Sequence, residues 1–319
     1  MRAAQVTRTD GPKALEIGTV PDRTAGPGEV LIEVEAAGVN FPDVLLTQDK
    51  YQYKPEIPFV LGGELAGVVR EAPADSGFAP GDRVAASTTV GGFAELAAAP
   101  VENVFRLPER VGFAAAACLP MNYLTMVFGL GVRGQLREGE TVLVQGAAGG
   151  IGTATIQLAK AMGARVISVV STPEKAEFVK SVGSDEAVLA EGFKDAVKEL
   201  TGGVDLVVDP VGGDRFTDSL RSLGPLGRLL VIGFTAGDIP TVKVNRLLLN
   251  NIDVRGVGWG AFVAKRPGFQ QEMWEKLVPY LESGQVDPPI AATYALEDAG
   301  EAVARLDTRQ VLGKVVIEP

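Results

Sequence analysis

The hydrophobic and polar positions along the chain change rhythm twice. In VLIEVEAAGV (30–39), Ile32, Val34 and Ala36 alternate with Leu31, Glu33 and Glu35. That period of two predicts a half-buried strand. Turn chemistry recurs at Thr24 to Gly28, Ala79 to Asp82 and Gly91-Gly92, so the first stretch, to about residue 118, reads as an antiparallel, barrel-like unit. From about 119 to 257 the pattern becomes apolar runs separated by helical periods. The runs are 141–146, 164–170, 204–209 and 227–234, and the intervening helices are expected at 150–162, 173–182, 193–201 and 213–222. Strand and helix alternating at this spacing predict an α/β fold with a parallel, doubly wound sheet. Beyond 257 the chain predicts an amphipathic helix over 267–284, another over 295–308 and a final strand in VLGKVVIEP. The last segment is expected to return to the first domain, leaving the α/β unit as an insertion: 1–118 with 258–319 as one domain, 119–257 as the other.

Composition narrows the chemistry. Among 319 residues there are no histidines and one cysteine, Cys118. This removes the usual general base, every Ser-His or Cys-His pair and the usual zinc ligands, so no metal is expected. One cysteine also excludes an internal disulfide framework and suits a reducing cytoplasm. The net charge of −10 repels phosphodiester backbones, arguing against a nucleic-acid partner. The N-terminal residues lack a signal-peptide core, and no run reaches the roughly 18 uninterrupted apolar residues of a membrane span.

The candidate chemistry starts at VLVQGAAGGIG (142–152). Gly146, Gly149 and Gly152 follow a strand and open a helix, the context of a dinucleotide turn, although spaced G-x-x-G-x-x-G. Without Cβ atoms the backbone approaches a pyrophosphate, and the helix N-terminus offers free N–H groups and a positive dipole end. The other reading is a tight turn that only packs closely. After the next strand comes Ser171-Thr172-Pro173-Glu174-Lys175. Hydroxyls and a cation there suit a 2′-phosphate, hence NADPH; Glu174 is the counter-argument, as an acid near this point suits NAD, but in the first helical turn it also serves the dipole. Lys175 also reads as an ordinary solvated lysine.

The stretch GETVLVQGAAGGIGTATIQLAK (139–160) resembles the signature of the zeta-crystallin-like quinone oxidoreductases of the medium-chain dehydrogenase/reductase superfamily. AAGVNFPDVL, YQYKPEIPFVLGGELAGVV, PGDRV, GGFAEL, ACLPMNYLT, DPVGG and GRLLVIGF match in the same order. The resemblance implies a GroES-like catalytic domain interrupted by a Rossmann domain, with the cofactor in the cleft between them. Zinc-dependent relatives carry a metal-binding Cys where this chain has Asn40 and His where it has Gly63, with Glu64 retained; the cysteine-rich structural lobe is missing. This implies the zinc-free branch, which suits electron-poor acceptors rather than alcohols.

By the same resemblance, Asn40 lies near the nicotinamide ribose, Thr125 near the carboxamide, and Gly149, Gly150 and Ile151 along the pyrophosphate. Ser171 and Lys175 take the 2′-phosphate, and Val211, Phe234 and the Trp259 loop line the channel. A tyrosine often found near the 2′-phosphate in relatives is missing from 186–190. Tyr51 is the candidate contact for the acceptor oxygen, with an alternative role as a packing anchor; water is the other proton source. Asp43 reads as a cap and Cys118 as an inert core thiol.

The expected activity is NADPH-dependent reduction of quinones or α,β-unsaturated carbonyls. An enoyl- or acryloyl-thioester reductase and a non-enzymatic nucleotide-binding relative, crystallin-like or RNA-interacting, are the alternatives. A homodimer is expected from relatives that extend the Rossmann sheet, with 250–258 as the edge.

Overall fold

The computed structural model describes residues 1–308 and 310–319. Its strands are β1 Arg2–Val6, β2 Glu16–Thr19, β3 Glu29–Val39, β4 Phe59–Val60, β5 Glu64–Glu71, β6 Arg83–Ser87, β7 Leu96–Pro100 and β8 Val104–Arg106. They continue as β9 Thr141–Val144, β10 Arg165–Val170, β11 Glu186–Leu189, β12 Val204–Asp209, β13 Leu223–Val231, β14 Asp253–Gly256, β15 Ile290–Ala295 and β16 Lys314–Glu318. The chain separates into two compact units. One holds residues 1–122, 267–278 and 287–319; the other holds 123–266 and 279–286.

In the first unit the main sheet runs β15-β16-β3-β5-β6-β8, with β7 also on β3. A small β2-β1-β4 sheet accompanies it. The alternation read in 30–39 is there: Ile32, Val34 and Ala36 are buried, Glu33 and Glu35 exposed. Leu31 departs from it and is buried too. The terminal strand does return, with β16 antiparallel to β3 through Val315–Val39 and Ile317–Ala37. Val30, Ile32, Leu61, Leu65, Phe93 and Ile317 lie in the unit's core.

In the second unit a six-stranded sheet has the order β11-β10-β9-β12-β13-β14, with every pairing parallel. Counted from β9, that is the 3-2-1-4-5-6 order of a dinucleotide-binding fold. The expected helices form at Gly150–Ala161, Pro173–Val182 and Phe193–Thr201. The fourth is split into a 3₁₀ turn, Gly213–Arg215, and a short helix, Phe216–Arg221. Leu143, Ile167, Val207 and Leu229 from four adjacent strands form the core, closed by Phe193 and Phe216.

Residues 113–134 are almost continuously helical, which no periodicity predicted. Much of the stretch, Leu119–Tyr123 and Val127–Gly134, has π-type turns. By length and hydropathy Phe113–Gly134 would pass for a membrane span, but 78% of its apolar window is buried within the protein. At its end, Arg228 from β13 grips the Glu140 carboxylate at 2.6 and 2.8 Å. The same guanidinium donates to the carbonyls of Gly134 and Gln135 at 2.7 and 3.0 Å, fixing the turn that leads into β9.

Candidate active site

The glycine turn leaves the C-terminal end of β9, the strand at which the sheet order reverses. Open α/β sheets bind ligands at such a point. Gly146 has φ +59°, and its Cβ would stand 3.0 Å from Val211. Gly149 is the N-cap of the Gly150–Ala161 helix, and no side chain caps it. Gly152 is fixed by packing: a Cβ there would sit 2.4 to 2.5 Å from backbone atoms of Ala147. The N–H groups of Gly150 and Ile151 therefore open the helix beside a Gly146–Gly149 loop whose largest side chains are methyl groups, a fit for a pyrophosphate.

One strand over, at the end of β10, Lys175 Nζ donates to Ser171 Oγ at 3.3 Å. Thr172 caps the following helix by accepting from the Lys175 N–H at 3.3 Å, with Pro173 at the first helical position. The turn thus brings together the hydroxyl and cation expected at a 2′-phosphate. At the end of β12, Asp209 Oδ1 accepts from the N–H groups of Val211 and Gly212 at 2.8 and 2.9 Å. That anchors Val211 and gives Gly212 its left-handed backbone, φ +66°. Phe234 packs beside Gly212 and is 37% exposed. Oδ2 of Asp209 and Oε1 of Gln145, both buried, have no hydrogen-bond partner among the described residues, and burial pushes the Asp209 carboxyl up from its ordinary value.

Thr125 is buried in the single α-turn Leu124–Met126 between the two π-type stretches. Trp259 starts the helix Trp259–Val263, its ring 5.6 Å from that of Phe128 and tilted by 47°. All of these residues belong to the second unit.

Asn40 and Tyr51 belong to the first. Asn40 precedes the helix Phe41–Thr47, and its N–H donates to Asp43 Oδ2 at 2.7 Å, so Asp43 does cap. Burial pushes the Asp43 carboxyl up to about 7, against the lowering effects of that N–H and of Lys314. The Asn40 amide lies in a buried polar cluster with Glu64, Asn122 and Lys314. Sequence reading passed over Lys314 and Asn122, though a lysine inside the apolar run VLGKVVIEP was a signal, since lysine is almost never buried unpaired. Tyr51 packs partly against the core and lines a cavity of about 220 Å³ with Thr9, Leu46, Asp49, Tyr53 and Phe59.

The donor set does not fit zinc. Among the described residues no group of three His, Cys, Asp or Glu is placed to hold a metal. The Asn40 carboxamide oxygen already accepts from an ammonium, 2.7 Å away. Cys118 is buried, which pushes its thiol up to about 12.

Residues 26–109 match the alcohol dehydrogenase GroES-like domain family, and 150–283 match the zinc-binding dehydrogenase family. Quinone oxidoreductase-like protein 2 of Rattus norvegicus is 38% identical, over 99% of this chain and 91% of its own length. A probable oxidoreductase from Mycobacterium abscessus superposes with TM-score 0.92 at 46% identity, over 100% of this chain and 99% of its own. The quinone oxidoreductase of Thermus thermophilus, also solved with NADPH, gives 0.86 and 35% over 100% of both chains. With whole-length similarity to quinone oxidoreductases and metal positions filled by Asn40 and Gly63, the chain belongs to the zinc-free quinone oxidoreductase branch of the medium-chain dehydrogenase/reductase superfamily.

Proposed function

We propose that the protein reduces quinones or α,β-unsaturated carbonyls with NADPH, without a metal. The observation that carries this reading is the uncapped helix start at Gly149, beside a turn where Gly152 admits no side chain. Gly149, Gly150 and Ile151 hold the pyrophosphate through backbone N–H groups and the helix dipole. Ser171 and Lys175 meet the 2′-phosphate, Val211, Phe234 and Trp259 line the channel, and Thr125 orients the carboxamide. When bound, NADPH supplies a hydride.

The second unit, 123–266 with 279–286, serves as the nucleotide-binding part, and the first, 1–122, 267–278 and 287–319, as the acceptor-binding part; Trp259 thus falls on the nucleotide side of the expected 257/258 boundary. Asn40 stands at the nicotinamide end. The acceptor gains a hydride and becomes an enolate or hydroquinone anion; Tyr51 or water then delivers the proton that completes the reduction. With no Lewis acid in reach, substrates that stabilise the developing negative charge themselves are favoured.

Following NADPH absorbance with 1,4-benzoquinone, an alkenal and an enoyl-CoA tests the acceptor class. Oxidation by the first two supports the reading, oxidation by the thioester alone favours an enoyl-thioester reductase, and no oxidation by any of them overturns it. A parallel NADH titration that binds as tightly would remove the NADPH assignment.

The working form is a homodimer in a reducing, cytoplasmic setting. β14 ends its sheet, and an unpaired edge invites pairing. Leu226, Leu248 and Leu249, on β13 and the helix Asn245–Asn250, are 75 to 77% exposed. A second copy meeting edge to edge would cover strand and leucines together.

A further inference from the structure

Lys314 lies in a buried strand, its side chain 3% exposed, and Glu64 beside it is fully buried. Each ammonium hydrogen has an acceptor: the Val39 carbonyl at 2.9 Å, Asn40 Oδ1 at 2.7 Å and Glu64 Oε1 at 3.0 Å. The remaining carboxylate oxygen, Oε2, accepts from the Met121 N–H at 2.7 Å. The two charges are therefore paired and hydrogen-bonded, the condition under which burial is tolerated.

This pair determines the sense of the Asn40 amide. Lys314 can only donate and ionised Glu64 can only accept, so the carboxamide oxygen must face the lysine and its nitrogen the glutamate. A flipped amide would set N–H against ammonium and C=O against carboxylate. Asn122 Nδ2 takes up the second lone pair of Oδ1 at 2.7 Å. On the nitrogen, one hydrogen goes to Glu64 Oε1 at 2.6 Å, and the other reaches only the Gly38 carbonyl at a long 3.4 Å. On the Gly38 side the cluster is tightly packed, since a Cβ on Gly38 would lie 2.5 Å from Glu64 Oε1 and 2.3 Å from the Ala117 carbonyl oxygen.

We propose that Lys314 is a positioning residue: with Glu64 it locks the Asn40 carboxamide so that the one function it holds only loosely, the N–H at 3.4 Å from the Gly38 carbonyl, is a donor and never an acceptor. This rests on the reading that Asn40 meets the nicotinamide end of the cofactor or the acceptor. The site then selects oxygen atoms that accept, such as a ribose oxygen or the carbonyl oxygen of the acceptor. It also holds the donor in place before either arrives, and a misplacement of about 1 Å in such a group costs on the order of 100-fold in rate.

The test compares wild type, Lys314→Arg and the double variant Lys314→Met/Glu64→Gln. The double change avoids leaving a lone buried carboxylate, which would threaten folding in Lys314→Met alone. It also puts an amide where the carboxylate was, so the sense of the Asn40 amide is no longer imposed. The first readout needs no cofactor: the side-chain ¹⁵N–¹H pair of Asn40, identified by its loss in Asn40→Ala. We expect one sharp, slowly exchanging pair in wild type and in Lys314→Arg, and a shifted or doubled pair in the double variant.

The second readout is kcat against the KM for NADPH. In the double variant, kcat should fall at least about tenfold while KM stays within about threefold, because the phosphates and adenosine dominate binding. Lys314→Arg should recover most of kcat. A cooperatively melting double variant with an unmoved Asn40 pair, or with wild-type kcat, overturns the proposal. An Asn40→Ala variant with unchanged kcat would instead remove the underlying site reading, and the amide signals alone would then decide whether Lys314 sets the amide.

Discussion

Gly152 and Ala147 touch so closely that a single methyl group on Gly152 would lie 2.4 Å from the Ala147 carbonyl oxygen. The obstacle is backbone rather than a flexible side chain, so nothing moves aside cheaply. Gly152→Ala should destabilise the second unit by about 1–3 kcal/mol, the usual range for overpacking. It should also weaken NADPH binding more than about tenfold by displacing the helix start. Thermal melts and a fluorescence titration check both; a variant that melts and binds as wild type would show that the turn has slack.

Asp43 makes a pH prediction with a definite sign. Its carboxyl stands at about 7 in the folded chain against an ordinary value of 3.8, because burial penalises the charge. The folded state therefore holds this proton more tightly than the unfolded state. The resulting stability is fully present below pH 3.8 and is lost as pH rises through about 7, by up to about 1.4 kcal/mol per unit between those values. Asp43→Asn keeps an oxygen for the Asn40 N–H but has nothing to titrate. Melting temperatures from pH 5 to 8 should fall more steeply in wild type than in the variant, and parallel curves would refute the assignment.

Lys175→Gln should weaken NADPH binding roughly fivefold at low salt and leave NADH binding unchanged. This is the scale of an exposed charge pair, about 1 kcal/mol at most. The difference should shrink as salt screens it. Equal losses for the two nucleotides would place Lys175 away from the 2′-phosphate.

Leu248→Lys with Leu249→Lys should convert a dimer to a monomer in sedimentation velocity. Each side chain is at least 75% exposed in the single chain, so folding of the monomer loses little by the change. A wild type that already sediments as a monomer would dispose of the edge-to-edge arrangement.

Legibility followed the range of the interactions. Helix bounds at 173–182 and 193–201 came out residue for residue, because Pro173 and Gly202 are local punctuation. The glycine turn was legible for the same reason. The 113–134 stretch was not: its small and apolar residues are compatible with several periods, and π-type turns match none of the usual ones. The amide cluster was hidden for a different reason. Lys314 meets Glu64 across 250 residues, and no window along the chain contains both. Only the oddity of a lysine among valines marked it. For Tyr51 the sequence offers two roles, an oxygen contact and a packing anchor; its ring packs partly against the core and lines a cavity, in keeping with the anchor.

The position of β16 between β15 and β3 has a consequence for how the chain matures. A ribosome delivers β3 and β5 early, but the strand that joins them there emerges only after the whole nucleotide-binding sheet has been made. Until then Glu64 and Asn40 lack their ammonium partner, and on the margin of β3 that β7 covers only at Glu29–Glu33, the Ala37–Val39 end is bare. The nascent first domain should therefore be the segment that chaperones hold longest, while the later-made parallel sheet closes ahead of it.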